Sequence, residues 1–83
     1  AVNSLTIGLS QELAGEGIRV NTVSPGLTAT DMPDAAVLEA AGPTIPMGRV
    51  GDADEIAAAI VWLLSDQASY VAGANIRVAG GRP

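Results

Sequence analysis

The chain opens with apolar residues at helical spacing. They recur every four residues, which places them on one face of a helix that begins at Val2. The residues of this face are Leu5, Leu9 and Leu13. Gly15 and Gly17 end the helix, because glycine accepts the left-handed turn that commonly follows one. Gly8 lies inside the helix at a cost of about 1 kcal/mol relative to alanine, which favours a close-packing role for it.

Two stretches further along have the β-branched and apolar content of strands. The first is predicted from Ile18 to Ser24. Pro25 stops it, because proline has no N–H to donate to a strand ladder. The second is shorter, from Ala74 to Ala79, and the Gly80-Gly81 pair closes it as a tight turn.

Two helices are predicted between these strands. A weak, alanine-rich helix spans Asp34 to Ala41, and a hinge-like connection from Gly42 to Gly51 follows it. Asp52 begins the second helix, since Asp52 and Glu55 have the spacing of a capping box. Apolar residues cover most of the circumference of this helix, so we expect another part of the protein or another subunit to cover a second surface. These residues are Ile56, Ile60, Val61, Trp62, Leu63 and Leu64.

Two strands about fifty residues apart, with a helix between them, predict a parallel pair joined by a right-handed crossover. Parallel strands occur in sheets of several strands that are buried on both faces, and two alone are not stable in water. The 83 residues therefore predict an α/β fold that needs more strands than they contain. We expect a segment of one larger domain, completed by upstream chain or by a partner.

The charged and reactive residues exclude several functions. The net charge is −5, with four arginines and no lysine, histidine or cysteine. This composition argues against a nucleic-acid surface, thiolate or histidine metal sites and a Ser/His/Asp arrangement. No stretch approaches the roughly 18 apolar residues of a membrane span, so no membrane partner is expected. The lack of cysteine is compatible with a cytoplasmic location.

The loop after the first predicted strand is the candidate binding site. In open α/β sheets, ligands bind just outside the carboxyl ends of the strands. In the loop from Pro25 to Met32, Gly26 lets the backbone pass close to a ligand, and Thr28 and Thr30 offer hydroxyls. Such a loop suits an uncharged amide or a phosphate; the alternative, which local chemistry alone favours, is a polar turn with a helix cap. The single tyrosine, Tyr70, is expected to pack at a turn.

Several segments, in order and spacing, resemble the C-terminal third of classical short-chain dehydrogenases/reductases. The resemblance runs over essentially the whole chain, and the ordered set is more specific than any one segment. The segments are Asn3-Ser4-Leu5-Thr6 with Leu9, Glu12 and Leu13, then Ile18 to Gly26, Thr30-Asp31-Met32, Pro46 to Gly51, Glu55-Ile56-Ala57, Leu63 to Asp66, Ala68 to Gly73 and Gly80-Gly81.

The resemblance implies the C-terminal part of a doubly wound, Rossmann-type parallel sheet, with residues 1–83 inside a single dinucleotide-binding domain. It implies NAD or NADP as cofactor, with backbone at Leu27 and Thr28 holding the carboxamide and Thr30 near the carboxamide or the pyrophosphate. Residues from Asp31 to Pro46 would form a substrate lid. The cofactor-binding residues implied in this way are Pro25, Gly26, Leu27, Thr28 and Thr30.

The implied activity is hydride transfer that interconverts an alcohol and a carbonyl, in a cytoplasmic homodimer or homotetramer. The family's catalytic Ser, Tyr and Lys would lie before Ala1, so no residue of this chain is expected to be catalytic. Tyr70 does not match the catalytic tyrosine, because Ala74 and not Lys stands four residues on. Ala79 departs from the Asp that often precedes the closing glycine pair. The alternative function is a non-catalytic assembly piece that docks through its apolar helices.

Overall fold

The computed structural model describes residues 2–82, and its elements follow the predicted order of helix, strand, helix, helix, strand. Short 3-10 turns connect them. The elements are α1 Val2–Leu13, β1 Thr22–Pro25, α2 Ala35–Ala41, α3 Ala53–Leu64 and β2 Asn75–Val78. Gly17 follows α1 and its short turn in the left-handed conformation, as predicted, with a φ of 79°.

The two strands pair in parallel, which confirms the predicted pairing. Thr22 lies opposite Asn75 and Pro25 lies opposite Val78. Because the strands run in the same direction, their carboxyl ends meet at one edge of the sheet. The segments that follow β1 and β2 therefore both leave the sheet at this edge.

The prediction that the first strand begins at Ile18 is wrong, since β1 begins only at Thr22. Before β1, the Asn21 side chain makes hydrogen bonds in place of the backbone ladder. Its Nδ2 donates to the Val71 carbonyl at 2.9 Å, and its Oδ1 accepts from the Ala74 N–H at 2.9 Å. The Val20 carbonyl accepts from the Gly73 N–H at 2.8 Å. The two chains thus already run side by side before regular strand geometry starts.

Pro25 belongs to β1 and does not stop the strand before it. The N–H groups of Thr22 and Gly26 donate to Ala74 and Val78 of the neighbouring strand, each at 2.9 Å. In a parallel ladder, alternate residues direct their N–H groups away from the partner. The nitrogen of Pro25 is on that outward side, so its missing hydrogen removes no bond between β1 and β2.

Both ends of α3 have identifiable partners. Asp52 and Glu55 form the predicted capping box, and the Glu55 carboxylate accepts the Asp52 N–H at 3.0 Å. At the other end, Arg19 donates from Nη1 to the Leu63 carbonyl at 2.7 Å and from Nη2 to the Ser65 carbonyl at 3.4 Å. No basic residue of α3 itself lies in its last turn, so Arg19 supplies the positive charge that the negative helix end favours.

The buried apolar core is small. Among residues 3–82 it consists of Ile45, Leu63 and Ala68. The radius of gyration is 15.2 Å, against about 12 Å for a compact domain of this length. Much apolar surface therefore remains uncovered by the described residues, most of it on α1 and α3.

Only Leu63 of α3 is buried among residues 3–82, while Val61 and Leu64 are 65% and 78% exposed. The cover expected for this surface from another part of the protein or another subunit stays a prediction. Two other burial expectations differ from the structure. Gly8 has no neighbouring atom within 4 Å of where a Cβ would lie, so the close-packing role fails within residues 2–82. Tyr70 is fully exposed and does not pack at its turn. Among the helices described, none is long and apolar enough to cross a membrane.

Candidate functional site

The candidate loop leaves β1 at the edge where both strands end. Its first residue is held to the sheet, because the Gly26 N–H donates to the Val78 carbonyl at 2.9 Å. Two residues later the loop pairs with the segment before α3: Gly51 donates to the Leu27 carbonyl at 3.0 Å and accepts from the Ala29 N–H at 2.8 Å. The loop is therefore held on both sides where it leaves the sheet.

A hydrogen-bonded cluster occupies the middle of the loop. The Asp31 carboxylate accepts from the Thr28 N–H at 3.1 Å and from the Thr28 hydroxyl at 3.0 Å. The hydroxyls of Thr28 and Thr30 are 2.8 Å apart. Thr28 is buried and caps the 3-10 turn Ala29–Asp31, whereas Thr30 is exposed. For Thr28, this is the polar turn with a helix cap that the residues left open as an alternative.

The N–H groups of the loop are not equally available. Those of Gly26, Thr28 and Ala29 already have acceptors, and Pro25 has none to offer. The Leu27 N–H makes no hydrogen bond to the part of the chain that the structure describes. Leu27 thus presents a backbone donor at the carboxyl edge of the sheet, where an amide or phosphate oxygen would satisfy it.

Gly26 is required for a reason other than the expected one. A Cβ at residue 26 would lie 2.7 Å from the Ala79 Cα and 2.8 Å from its Cβ. Contacts this short do not occur, so glycine is needed to let the loop pass the residue that follows β2. This is an approach to the protein's own backbone; the approach of Gly26 to a ligand stays a prediction.

A cleft of about 550 Å³ lies beside the loop. Leu27 forms part of its wall together with Ile45, Met47 and Ile56. Pro25, Gly26, Thr28 and Thr30 do not line it. The structure therefore brings the predicted residues together in one loop but places only Leu27 in this cleft.

An ion pair fixes the polar side of the same cleft. Arg49 forms a two-point contact with Glu55, with Nη1–Oε1 at 2.7 Å and Nη2–Oε2 at 3.0 Å. The hydrogen bonds from Arg49 and from the Asp52 backbone lower the pKa of the Glu55 carboxyl to about 2, and the pairing with Glu55 raises the pKa of Arg49. This pair ties the start of α3 to the connection before it.

Arg19 and Asn21 were not recognised as important from the sequence. Both act on backbone groups more than forty positions away, with which local spacing has no relation. The one available signal was the lack of a basic residue in the last turn of α3, which calls for a cation from elsewhere. Among the described residues, no group of three or more acidic side chains is placed to hold a metal ion.

The element order, the parallel pairing and the loop at the carboxyl edge define a segment of a doubly wound α/β protein of the Rossmann type. The family profile described as Enoyl-(Acyl carrier protein) reductase matches residues 1–82. The chain therefore belongs to the short-chain dehydrogenase/reductase family, which confirms the resemblance.

Individual relatives agree with this. The chain is 50% identical to the uncharacterized oxidoreductase YgfF of Escherichia coli over 99% of its length, and 51% identical to a 3alpha-hydroxysteroid dehydrogenase of Mediterraneibacter gnavus over 96%. The crystal structure of acetoin dehydrogenase YohF from Salmonella typhimurium superposes with a TM-score of 0.79 at 39% identity, covering 95% of this chain and 31% of that one. The matches cover 35% and 33% of the first two relatives, so the chain spans about a third of their length.

Proposed function

We propose that this chain supplies the nicotinamide side of an NAD(P)-dependent oxidoreductase that interconverts an alcohol and a carbonyl. The observation that carries the proposal is the Leu27 N–H. It makes no hydrogen bond to residues 2–82, while the N–H groups on either side of it have partners. A carboxamide oxygen is an acceptor that this donor could take.

The cofactor contact in this proposal centres on Leu27 and Thr30, which differ from the rest of the loop. Pro25 and Gly26 set the path of the backbone past Ala79. Thr28 is occupied by the Asp31 cap, so it contributes shape and not a free N–H. In this proposal the exposed Thr30 hydroxyl, which lies 2.8 Å from that of Thr28, hydrogen-bonds the carboxamide or the pyrophosphate.

When bound, a nicotinamide cofactor supplies the hydride that the reaction transfers. The loop's part is to orient the ring by one backbone hydrogen bond, since a fixed orientation decides which ring face meets the substrate. Proton transfer is assigned to the family's Ser, Tyr and Lys, for which this chain has no matching positions. The catalytic set is thus expected outside these 83 residues.

The substrate lid is proposed to run from Asp31 to Pro46. Its helix α2 is capped by Asp34, whose carboxylate accepts the Val37 N–H at 3.0 Å. Most residues of α2 are exposed; among the apolar ones Val37 is 40% exposed, while Leu38 is half-buried. An apolar part of a substrate would cover this surface when the lid closes.

The test uses the complete polypeptide that contains these residues. It is titrated with NADH and NADPH while cofactor fluorescence is followed, and then assayed with a secondary-alcohol panel that includes a 3α-hydroxysteroid and acetoin, after the names of two relatives. We expect saturable binding of one cofactor and alcohol-dependent reduction of its oxidised form. Absence of binding of either cofactor by folded protein would refute the proposal.

A homodimer or homotetramer is part of the same proposal. Large apolar side chains are exposed on α1 and α3, including Leu5 at 62%, Val61 at 65% and Leu64 at 78%. The same exposed faces favour the second candidate, an assembly piece without catalysis. The two are separated by the titration above, because an assembly piece would oligomerise without binding NADH or NADPH.

A further inference from the structure

The turn that follows β2 contacts two parts of the proposed site at once. It consists of Ala79, Gly80 and Gly81, and both glycines have positive φ values, 63° and 89°. The sequence predicted no more than a tight turn here. Its contacts give it a more specific role.

On one side the turn packs against the end of the proposed lid, Ile45 and Pro46, and the next residue, Met47; these three residues are called the lid base here. A Cβ on Gly80 would lie 2.8 Å from the Ile45 Cγ2, and one on Gly81 would lie 3.1 Å from the Pro46 Cβ. The Met47 N–H donates to the Gly80 carbonyl at 3.0 Å. Ile45 is only 4% exposed, so the lid base packs against this turn through Ile45.

On its other side the turn meets the candidate cofactor loop. Ala79 is the residue that leaves no room for a Cβ on Gly26. Consecutive residues of one turn therefore touch the loop and the lid base. A shift of the loop or of the lid base must therefore move the turn or break its contact with the turn, because both contacts are closely packed.

We propose that the Ala79–Gly81 turn is a positioning element that sets the lid base against the cofactor loop. The proposal rests on the function proposed above, since that assigns the loop and the lid. The turn touches no substrate in this account. It acts through Ile45 and Gly26, and a displacement on one side is transmitted to the other.

The experiment reads the lid base by limited proteolysis of the complete protein. Trypsin cuts after lysine and arginine, and in this chain, which has no lysine, Arg49 lies two residues beyond the lid base. Cleavage after Arg49, quantified by mass spectrometry, reports opening there. Cleavage after Arg19, measured in the same digest, reports global unfolding.

Gly80→Ala is expected to accelerate cleavage after Arg49 by about tenfold, because the new methyl displaces Ile45. Gly17→Ala is the matched control: Gly17 has a φ of 79°, but nothing lies within 4 Å of its Cβ position. It carries the same kind of backbone strain without the contact, and should change the Arg49 rate by less than about twofold. Adding Ile45→Leu to Gly80→Ala removes the Cγ2 methyl and should restore slow cleavage.

Gly26→Ala tests the transmission. Residue 26 lies in the cofactor loop, so faster cleavage after Arg49 in this variant, with Arg19 unchanged, supports a path through Ala79. In the reverse direction, Gly80→Ala should weaken NADH or NADPH binding about fivefold in the fluorescence titration, while Gly17→Ala should not.

Equal effects of Gly80→Ala and Gly17→Ala on Arg49, or no effect of Gly26→Ala there, would overturn the proposal. The proposal would also be overturned if Gly80→Ala accelerated cleavage after Arg19 and after Arg49 equally and the added Ile45→Leu did not reverse this. The turn would then contribute only to the overall stability of the protein. The digest needs no cofactor. A protein that binds neither NADH nor NADPH would refute the proposed function, while the digest would still decide whether the turn couples the two segments.

Discussion

Replacing Arg19 tests whether a residue outside α3 completes its C-terminal end. In Arg19→Met the stem of the side chain is kept, but the bonds to the Leu63 and Ser65 carbonyls are lost, together with a 3.5 Å bond to the Val71 carbonyl. The 2.7 Å bond has a charged donor and is partly buried, which is typically worth about 1.5–3 kcal/mol. The charge at the negative helix end adds about 0.3–1 kcal/mol. Allowing for partial solvent screening, we expect the free energy of unfolding to fall by about 2 kcal/mol.

The assay is urea unfolding of the complete protein, followed by circular dichroism. Arg77→Met is the matched control, because Arg77 is exposed and makes one bond, from Nη2 to the Arg82 carbonyl at 3.0 Å. Its loss should be about 0.5 kcal/mol or less. Arg19→Lys keeps the charge but not the two-point donor, so an intermediate loss is expected.

If Arg19→Met and Arg77→Met lowered the free energy of unfolding equally, the reasoning about α3 would be refuted. The same conclusion would follow if Arg19→Lys, which lacks the two-point contact with the carbonyls, had the same free energy of unfolding as the unaltered protein. In either case the helix end would be satisfied by water, and Arg19 would contribute only a surface charge.

Three further predictions concern the ion pair, the loop and the isolated chain. The folded pKa of Glu55 is about 2 against an ordinary 4.5, so its ionised form stabilises the fold above about pH 4.5 and this stabilisation is lost as the pH falls towards 2. In pH-dependent unfolding, the difference in stability between the unaltered protein and Glu55→Gln should therefore vanish over that range. Thr28→Val, which removes the hydroxyl bonds to Thr30 and Asp31, should cost about 1 kcal/mol in urea unfolding, whereas an unchanged midpoint would show that the cap is dispensable. Residues 1–83 alone should show no turnover of any carbonyl with NADH or NADPH, and detectable turnover would contradict the assignment of catalysis to residues outside them.

Local chemistry made the helices and the parallel pairing predictable. Asp52 and Glu55 predict the start of α3 from four consecutive residues, and Gly17 predicts the end of the first helical segment in the same way. The parallel pairing followed from the separation of the two strands and the helix between them. These features depend on groups close in sequence or on the fixed handedness and length of connections.

Features that depend on distant contacts were missed or misread. Asn21 displaced the start of β1 because its side chain reaches residues 71 and 74. Gly26 looked like a ligand approach, but only the fold reveals Ala79 beside it. The burial expected for α3 and Tyr70 requires surfaces that the described residues do not supply.

The same limit applies to the site. Sequence reasoning located the loop and its residues, but it could not tell which N–H groups the fold uses internally. With Thr28 capped by Asp31, the N–H groups of Leu27 and Thr30 are the loop donors without an acceptor among residues 2–82, and Leu27 is the one of the two that lines the cleft. The homo-oligomer, the cytoplasmic location and the use of NAD or NADP as cofactor stay predictions.

The amide of Leu27 tests the central claim most directly. In the complete protein labelled with ¹⁵N-leucine and ¹⁵N-threonine, the amide proton shifts of Leu27 and Thr28 are followed during titration with NADH and NADPH, with saturation confirmed by cofactor fluorescence. We predict that the cofactor that binds shifts Leu27 downfield as its N–H gains an acceptor, while Thr28, already bonded to Asp31, moves little. A Leu27 amide that does not shift at saturation would contradict the account.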